Sequence, residues 1–240
     1  MKLQTQIPLK KETRNQIAYQ SKILLLGSCF SENIGDKLSY FKFQSAQNPF
    51  GILFHPKAIE NFITNTINKK EYCSEDFIFQ NETWHSFDAH SSLSSVNENE
   101  LLNKLNASIS NTNRALKEAS HIIITLGTSW VYRFIDAIVA NCHKIPQKKF
   151  LNELLTVAEI TESLAAIIVL LKSVNKDISV LFTVSPVRHL KDGFIENTQS
   201  KSHLIAAIHQ VLEHQNVSYF PSYEIMMDEL RDYRFYAEDM

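Results

Sequence analysis

The sequence predicts an α/β fold built on a central, mostly parallel sheet. Two observations carry this. Three short, largely apolar runs, at 23–26, 122–126 and 178–184, are bounded by polar residues or glycine, as strands buried on both faces are. The segments between them carry helical periodicity, so strand and helix alternate. A third observation concerns placement: of five glycines, Gly27, Gly51, Gly127 and Gly193 come just after predicted strands. In a parallel sheet such loops gather at the carboxyl edge, where ligands bind.

Taken in order, residues 1 to about 20 read as an arm crossing the surface. The run 23–26 (ILLL) is the first strand, and the segment after it opens a helix. Weaker strands are expected at 41–46 and 217–220. A helix is expected over 56–68, with Pro56 at its first position and Ile59, Phe62, Ile63 and Ile67 on one face. Residues 98–119 form the next, where Asn97 and Glu100 have the spacing of a capping box. Thr156 and Glu159 repeat that spacing before an apolar helix running to about Val174. Residues 196–214 align Leu204, Ile205, Ile208, Val211 and Leu212. Two insertions, about 72–95 and 130–148, are rich in aromatic and β-branched residues and suit hairpins.

Composition narrows the class of function. The chain has 240 residues, 44% of them apolar, enough for one domain spanning 1–240 with a sizeable core. Lys plus Arg is 24 and Asp plus Glu 26, for a net charge of -2. This lacks the basic excess of a nucleic-acid binder. Three scattered cysteines make neither a disulfide scaffold nor a Cys-x-x-Cys zinc pair, and fit a reducing compartment. The longest apolar run, 164–171, is eight residues, short of the ~30 Å of a hydrocarbon core. No signal peptide is read at the N-terminus, so the expectation is a cytoplasmic protein with no membrane and no nucleic-acid partner. No motif implies a metal or an organic cofactor, and oligomeric state is not legible.

Candidate chemistry lies in the glycine-marked loops. Leu26-Gly27-Ser28-Cys29-Phe30 follows a buried strand and enters a helix. A thiol at a helix N-terminus feels the positive end of the macrodipole, which lowers its pKa, and the free N–H groups there can hold an oxyanion. The alternative is a small thiol filling a tight turn. In Asn48-Pro49-Phe50-Gly51 the Gly51 N–H and the Asn48 amide are candidate oxyanion donors; the alternative is an ordinary turn. Thr128 and Ser129 could contact substrate or simply cap local backbone. Arg188 suits an anionic substrate and His189 a general base, or both are solvated loop residues. His85, Asp88 and His90 sit close together but match no standard metal spacing.

The stretch ILLLGSCFSENIG resembles the signature of the GSCFA domain family, with Ser31 in place of the family's alanine. NPFGILFHP, FDAHSSLS, ITLGTSWVYR, TVSPVRHLKDGFIENTQSKSHL and YAEDM also resemble that family, in the expected order. The family is similar in turn to the SGNH, or GDSL, hydrolases, which are flavodoxin-like three-layer αβα sandwiches that cleave or transfer acyl esters. The resemblance implies Cys29 at the nucleophile position, with Ser28 one position early as the alternative. It implies Gly51 as an oxyanion glycine and Ser129 where an amide donor is expected. The Asp-x-x-His block would begin at Asp239, placing its histidine at 242, two positions past Met240. Either the end is a boundary short of that residue, or His90 or His189 serves instead, or only a binding role is retained.

The resemblance therefore implies an ester hydrolase or acyl transferase acting on a small-molecule or glycan ester. The rival expectation is a non-catalytic module that holds a carbohydrate or acyl group. A redox-sensing thiol at Cys29 is a third, and no resolving partner is visible for it.

Overall fold

The computed structural model describes residues 5–232 and Phe235. The chain runs β1 (Lys22–Gly27), α1 (Cys29–Tyr40), β2 (Gln44–Gln47) and α2 (Pro56–Ile67), then a hairpin of β3 (Ile78–Gln80) and β4 (Thr83–His85). Next come α3 (Glu98–Glu118) and β5 (His121–Leu126), then β6 (Trp130–Phe134), β7 (Ala137–Val139) and β8 (Leu151–Leu154). The last part is α4 (Val157–Val174), β9 (Ser179–Val184), α5 (Phe194–Val211), β10 (Val217–Phe220) and a short α6 (Ser222–Glu224).

Five strands form the central sheet in the order β10-β9-β5-β1-β2. All of its pairs are parallel. Counting only these five, the order reads 2-1-3-4-5, the flavodoxin-like arrangement whose ligand crevice opens outside the carboxyl ends of the strands. The apolar runs are buried on both faces because helices cover both. Leu24, Leu26, Ile122, Ile124, Phe182 and Val184 pack into the core shared with α2, α3, α4 and α5. Ile23, Leu25 and Ile123 face the other way and meet Ile34 and Leu38 of α1. Among the described residues no helix is long and apolar enough to cross a membrane.

Local chemistry sets the element ends. Thr156 accepts from the Glu159 N–H at 3.2 Å and the Glu159 carboxylate returns a contact to the Thr156 N–H at 2.8 Å, a complete capping box on α4. Thr156→Ala should destabilise the protein by about 1 kcal/mol, seen as a lower urea midpoint with an unchanged slope. The box expected on α3 is only half made. Asn97 caps Glu100 N–H, but the Glu100 carboxylate turns to Ser95 and Lys104. The strand expected at 41–46 begins three residues later, because α1 runs to Tyr40 and Lys42 turns through φ 68° to close it. Both insertions hold hairpins, and β8 adds a third strand to the second one.

The arm of residues 5–20 lies mostly exposed. It is tied down at its far end, where the Asn15 carbonyl meets His121 Nε2 at 2.7 Å.

Candidate active site

One strap organises the carboxyl edge of the sheet. Gly27 ends β1 at φ 129°, and a Cβ there would lie 2.0 Å from the Thr125 carbonyl oxygen. Only glycine allows that approach. The Gly27 N–H donates to Asn48 Oδ1 at 2.9 Å, and the Gly27 carbonyl accepts from Leu53 N–H at 3.0 Å. Farther along the same strap, the Phe54 carbonyl accepts from the N–H groups of Gly127 and Thr128 at 2.7 and 3.1 Å. Residues 48–55 thus run across the ends of β1 and β5. His55 finishes the strap by capping α2, its Nδ1 accepting from Ala58 N–H at 3.1 Å.

Ser28 and Cys29 part company at the helix start. Ser28 is buried, and its Oγ accepts from Phe30 N–H at 3.3 Å as the N-cap of α1. Cys29 is half-buried, the first residue of the helix. The backbone N–H groups of Cys29 and Phe30 favour its thiolate, although Phe30 N–H also donates to Ser28 Oγ. The expected fall in thiol pKa does not follow. Burial outweighs those donors and pushes the Cys29 thiol up.

The expected oxyanion donors are already engaged. Gly51 N–H closes a turn onto the Asn48 carbonyl at 2.7 Å, so it does not face a substrate. Asn48, at φ 41°, holds Gly27 through its carbonyl and offers its amide to Glu32 Oε1 at 3.3 Å. Its role is to join strap, strand and helix. Ser129 is fully buried, its N–H and hydroxyl both turned to Ser200 of α5. Thr128 Oγ1 contacts Ser200 Oγ at 3.0 Å and receives Trp130 N–H at 3.0 Å. Thr128 thus caps nearby backbone, while Ser129 ties the loop after β5 to α5.

The two candidate histidines differ in setting. His90 packs on Gly51, where a Cβ would come 2.5 Å from the His90 Cβ. Its Nδ1 accepts from Ser92 N–H at 3.3 Å, so the neutral ring carries its proton on Nε2 and presents a donor. The Glu32 carboxylate reaches both His90 and Cys29 electrostatically. His189 stands edge-on to Phe54 with ring centroids 5.3 Å apart. Its Nε2 would lie 3.3 Å from a Cβ on Gly127. Burial, then the Lys201 charge, pushes it down to about 4, so it is neutral. Arg188 directs Nη2 to Met227 Sδ at 3.5 Å, toward the segment after β10. Asp239 lies outside the described residues.

One residue escaped the reading of the sequence. Lys201 on α5 is 1% exposed, and its Nζ donates to the carbonyls of Gly127 at 2.6 Å and Ser185 at 2.8 Å. The signal was present: the apolar stripe through Leu204 and Ile208, carried back up the helix, runs onto Asn197, Ser200 and Lys201, all buried.

His85 and His143 stack at 4.5 Å beside this edge. Among the described residues, however, no cluster of three His, Cys, Asp or Glu is arranged to hold a metal. Cavities of about 600 and 920 Å³ lie elsewhere, one between the ends of α2 and α3 and one under the arm, and Cys29 lines neither. His55 and His143 are held neutral, each pushed by burial to about 4 from an ordinary 6.5. The unfolded chain takes up those protons first. Stability is therefore complete above the ordinary histidine value and falls as the solution is acidified toward about pH 4. Urea midpoints at about pH 7 and pH 4.5 check this; equal midpoints would contradict it.

Fold and site together define a parallel α/β protein with a half-buried thiol at the helix that opens behind its first strand. The chain belongs to the GSCFA family, whose model matches residues 22–240. Comparisons with curated proteins and with solved structures found no match.

Proposed function

We propose that the protein cleaves or transfers an acyl group through a thioester on Cys29, in the manner of the SGNH hydrolases its sequence resembles. The observation that carries this reading is the division between Ser28, buried as a helix cap, and Cys29, half-buried as the first residue of the helix, where backbone N–H groups favour its thiolate. The thiolate attacks the ester carbonyl, the alcohol leaves, and water or a second alcohol then takes the acyl group from sulfur. His189, neutral and beside Phe54 and Gly127, is the proton acceptor this reading prefers among the described residues. His90 Nε2–H and the Cys29 N–H are the donors left for the oxyanion, in place of Gly51. The substrate class is a small acyl ester, with an acylated glycan as the form the family analogy suggests.

Raised thiol pKa and engaged donors favour the second reading, a module that holds an acyl group or sugar without cleaving it. Rapid mixing with p-nitrophenyl acetate separates the two. The acyl-transfer reading expects a stoichiometric burst of nitrophenolate followed by slower turnover. Release no faster than from an unrelated protein at equal thiol concentration would leave the binding reading.

A further inference from the structure

The strongest unassigned feature is a buried cation at the centre of the site. Lys201 brings its ammonium between two carbonyls at the ends of β5 and β9. No carboxylate lies within ion-pair distance among the described residues' salt bridges to neutralise it. Strand register puts the thiol one strand away. Gly27 pairs with Thr125, and Ser28 N–H donates to the Thr125 carbonyl at 3.1 Å, so Cys29 begins its helix beside the turn that leads to Gly127. His189 flanks the same Gly127.

We propose that Lys201 is a positioning residue for this site: its ammonium, clamped by the Gly127 and Ser185 carbonyls one strand from the thiol, lends positive charge to the Cys29 thiolate. It rests on the acyl-transfer reading for its purpose but not for its test. A structural lysine would be an expensive way to hold two carbonyls, since a full charge is removed from water where a neutral amide would serve. The electrostatics run the same way. Lys201 favours the thiolate, Cys29 favours the ammonium, and Lys201 adds to the lowering of His189. Burial acts against the Lys201 charge and brings it down to about 7, so the cation itself titrates near neutrality. Among the described residues the other charged group acting on the sulfur is Glu32, which opposes the thiolate and also acts on His90.

The experiment is alkylation of Cys29 by iodoacetamide from about pH 6 to pH 10, read by mass spectrometry of the Cys29 peptide, with exposed Cys73 as internal reference. In Lys201→Gln the amide retains donors for both carbonyls and loses the charge. Cys29 should react about threefold to tenfold more slowly than wild type near pH 7.5 and converge with it at high pH, because one unit of pKa is a factor of ten. The His189 ring should titrate at higher pH by NMR. An unchanged alkylation profile in the folded variant overturns the proposal, as does a rate ratio that is the same at every pH. If Lys201→Gln does not fold, the wild type supplies the test. Carboxamidomethylation of Cys29 removes the thiolate, and the Lys201 side chain should then titrate at lower pH; no change overturns the proposal. Neither readout uses ester turnover, so an inactive esterase with a shifted profile supports the inference, and an active one with an unshifted profile sinks it alone.

Discussion

Cys29→Ala should lower turnover of p-nitrophenyl acetate by ~1000-fold or more, because the covalent route loses its nucleophile and only binding and oxyanion contacts remain. Ser28→Ala should behave differently. It removes an N-cap and should cost about 1 kcal/mol of stability. It leaves the sulfur in place, so most turnover should survive in the folded fraction. Cys29→Ser is the informative intermediate. A hydroxyl at the same position keeps the N–H groups but is far harder to ionise, so activity should fall well below wild type and remain above Cys29→Ala. The opposite ranking, with Ser28→Ala dead and Cys29→Ala active, would hand the nucleophile's role to Ser28. Steady-state rates on the four proteins, with thermal melts to correct for folded fraction, give the answer.

Gly27→Ala should be the most damaging single methyl group in the chain. The new Cβ would fall 2.0 Å from Thr125 O, a backbone atom of the central strand β5, at a φ of 129° that alanine rarely adopts. Neither partner can give way. Thr125 is held by its register with Gly27 on one side and Thr183 on the other. The loss should be about 3 kcal/mol or more, from backbone strain and from the displaced strap. The protein should express poorly or melt much earlier, and any soluble fraction should lose Cys29 reactivity, since Ser28 and Cys29 hang from this turn. A stable, active Gly27→Ala would mean the turn is looser than described.

Much of this architecture is written locally. The apolar runs in β1, β5 and β9, the Thr156 box and the placement of Gly27 and Gly127 each follow from neighbours in sequence. What was not legible depends on distant partners. The Gly51 N–H looked free in Asn48-Pro49-Phe50-Gly51, yet the turn folds it onto Asn48. Ser129 looked like a substrate contact until α5, about seventy residues on, brought Ser200 against it. The Cys29 pKa depended on a contest that sequence cannot weigh: helix N–H groups lower it, while burial by the surrounding loops raises it further. Lys201 was hidden for a plainer reason. A lysine on a helix normally points to water, and although the stripe through Leu204 and Ile208 marks its face as buried, nothing nearby in sequence announces the two carbonyls at the ends of β5 and β9.

The most direct measurement is to quench the protein in acid a few milliseconds after mixing with p-nitrophenyl acetate, digest it and map the acetyl group. An acetyl thioester on the Cys29 peptide, absent from Cys29→Ala and fading as turnover proceeds, is the expected result. Acetyl on Ser28, or acetyl shared evenly among exposed lysines and Cys73 with none at Cys29, would contradict it.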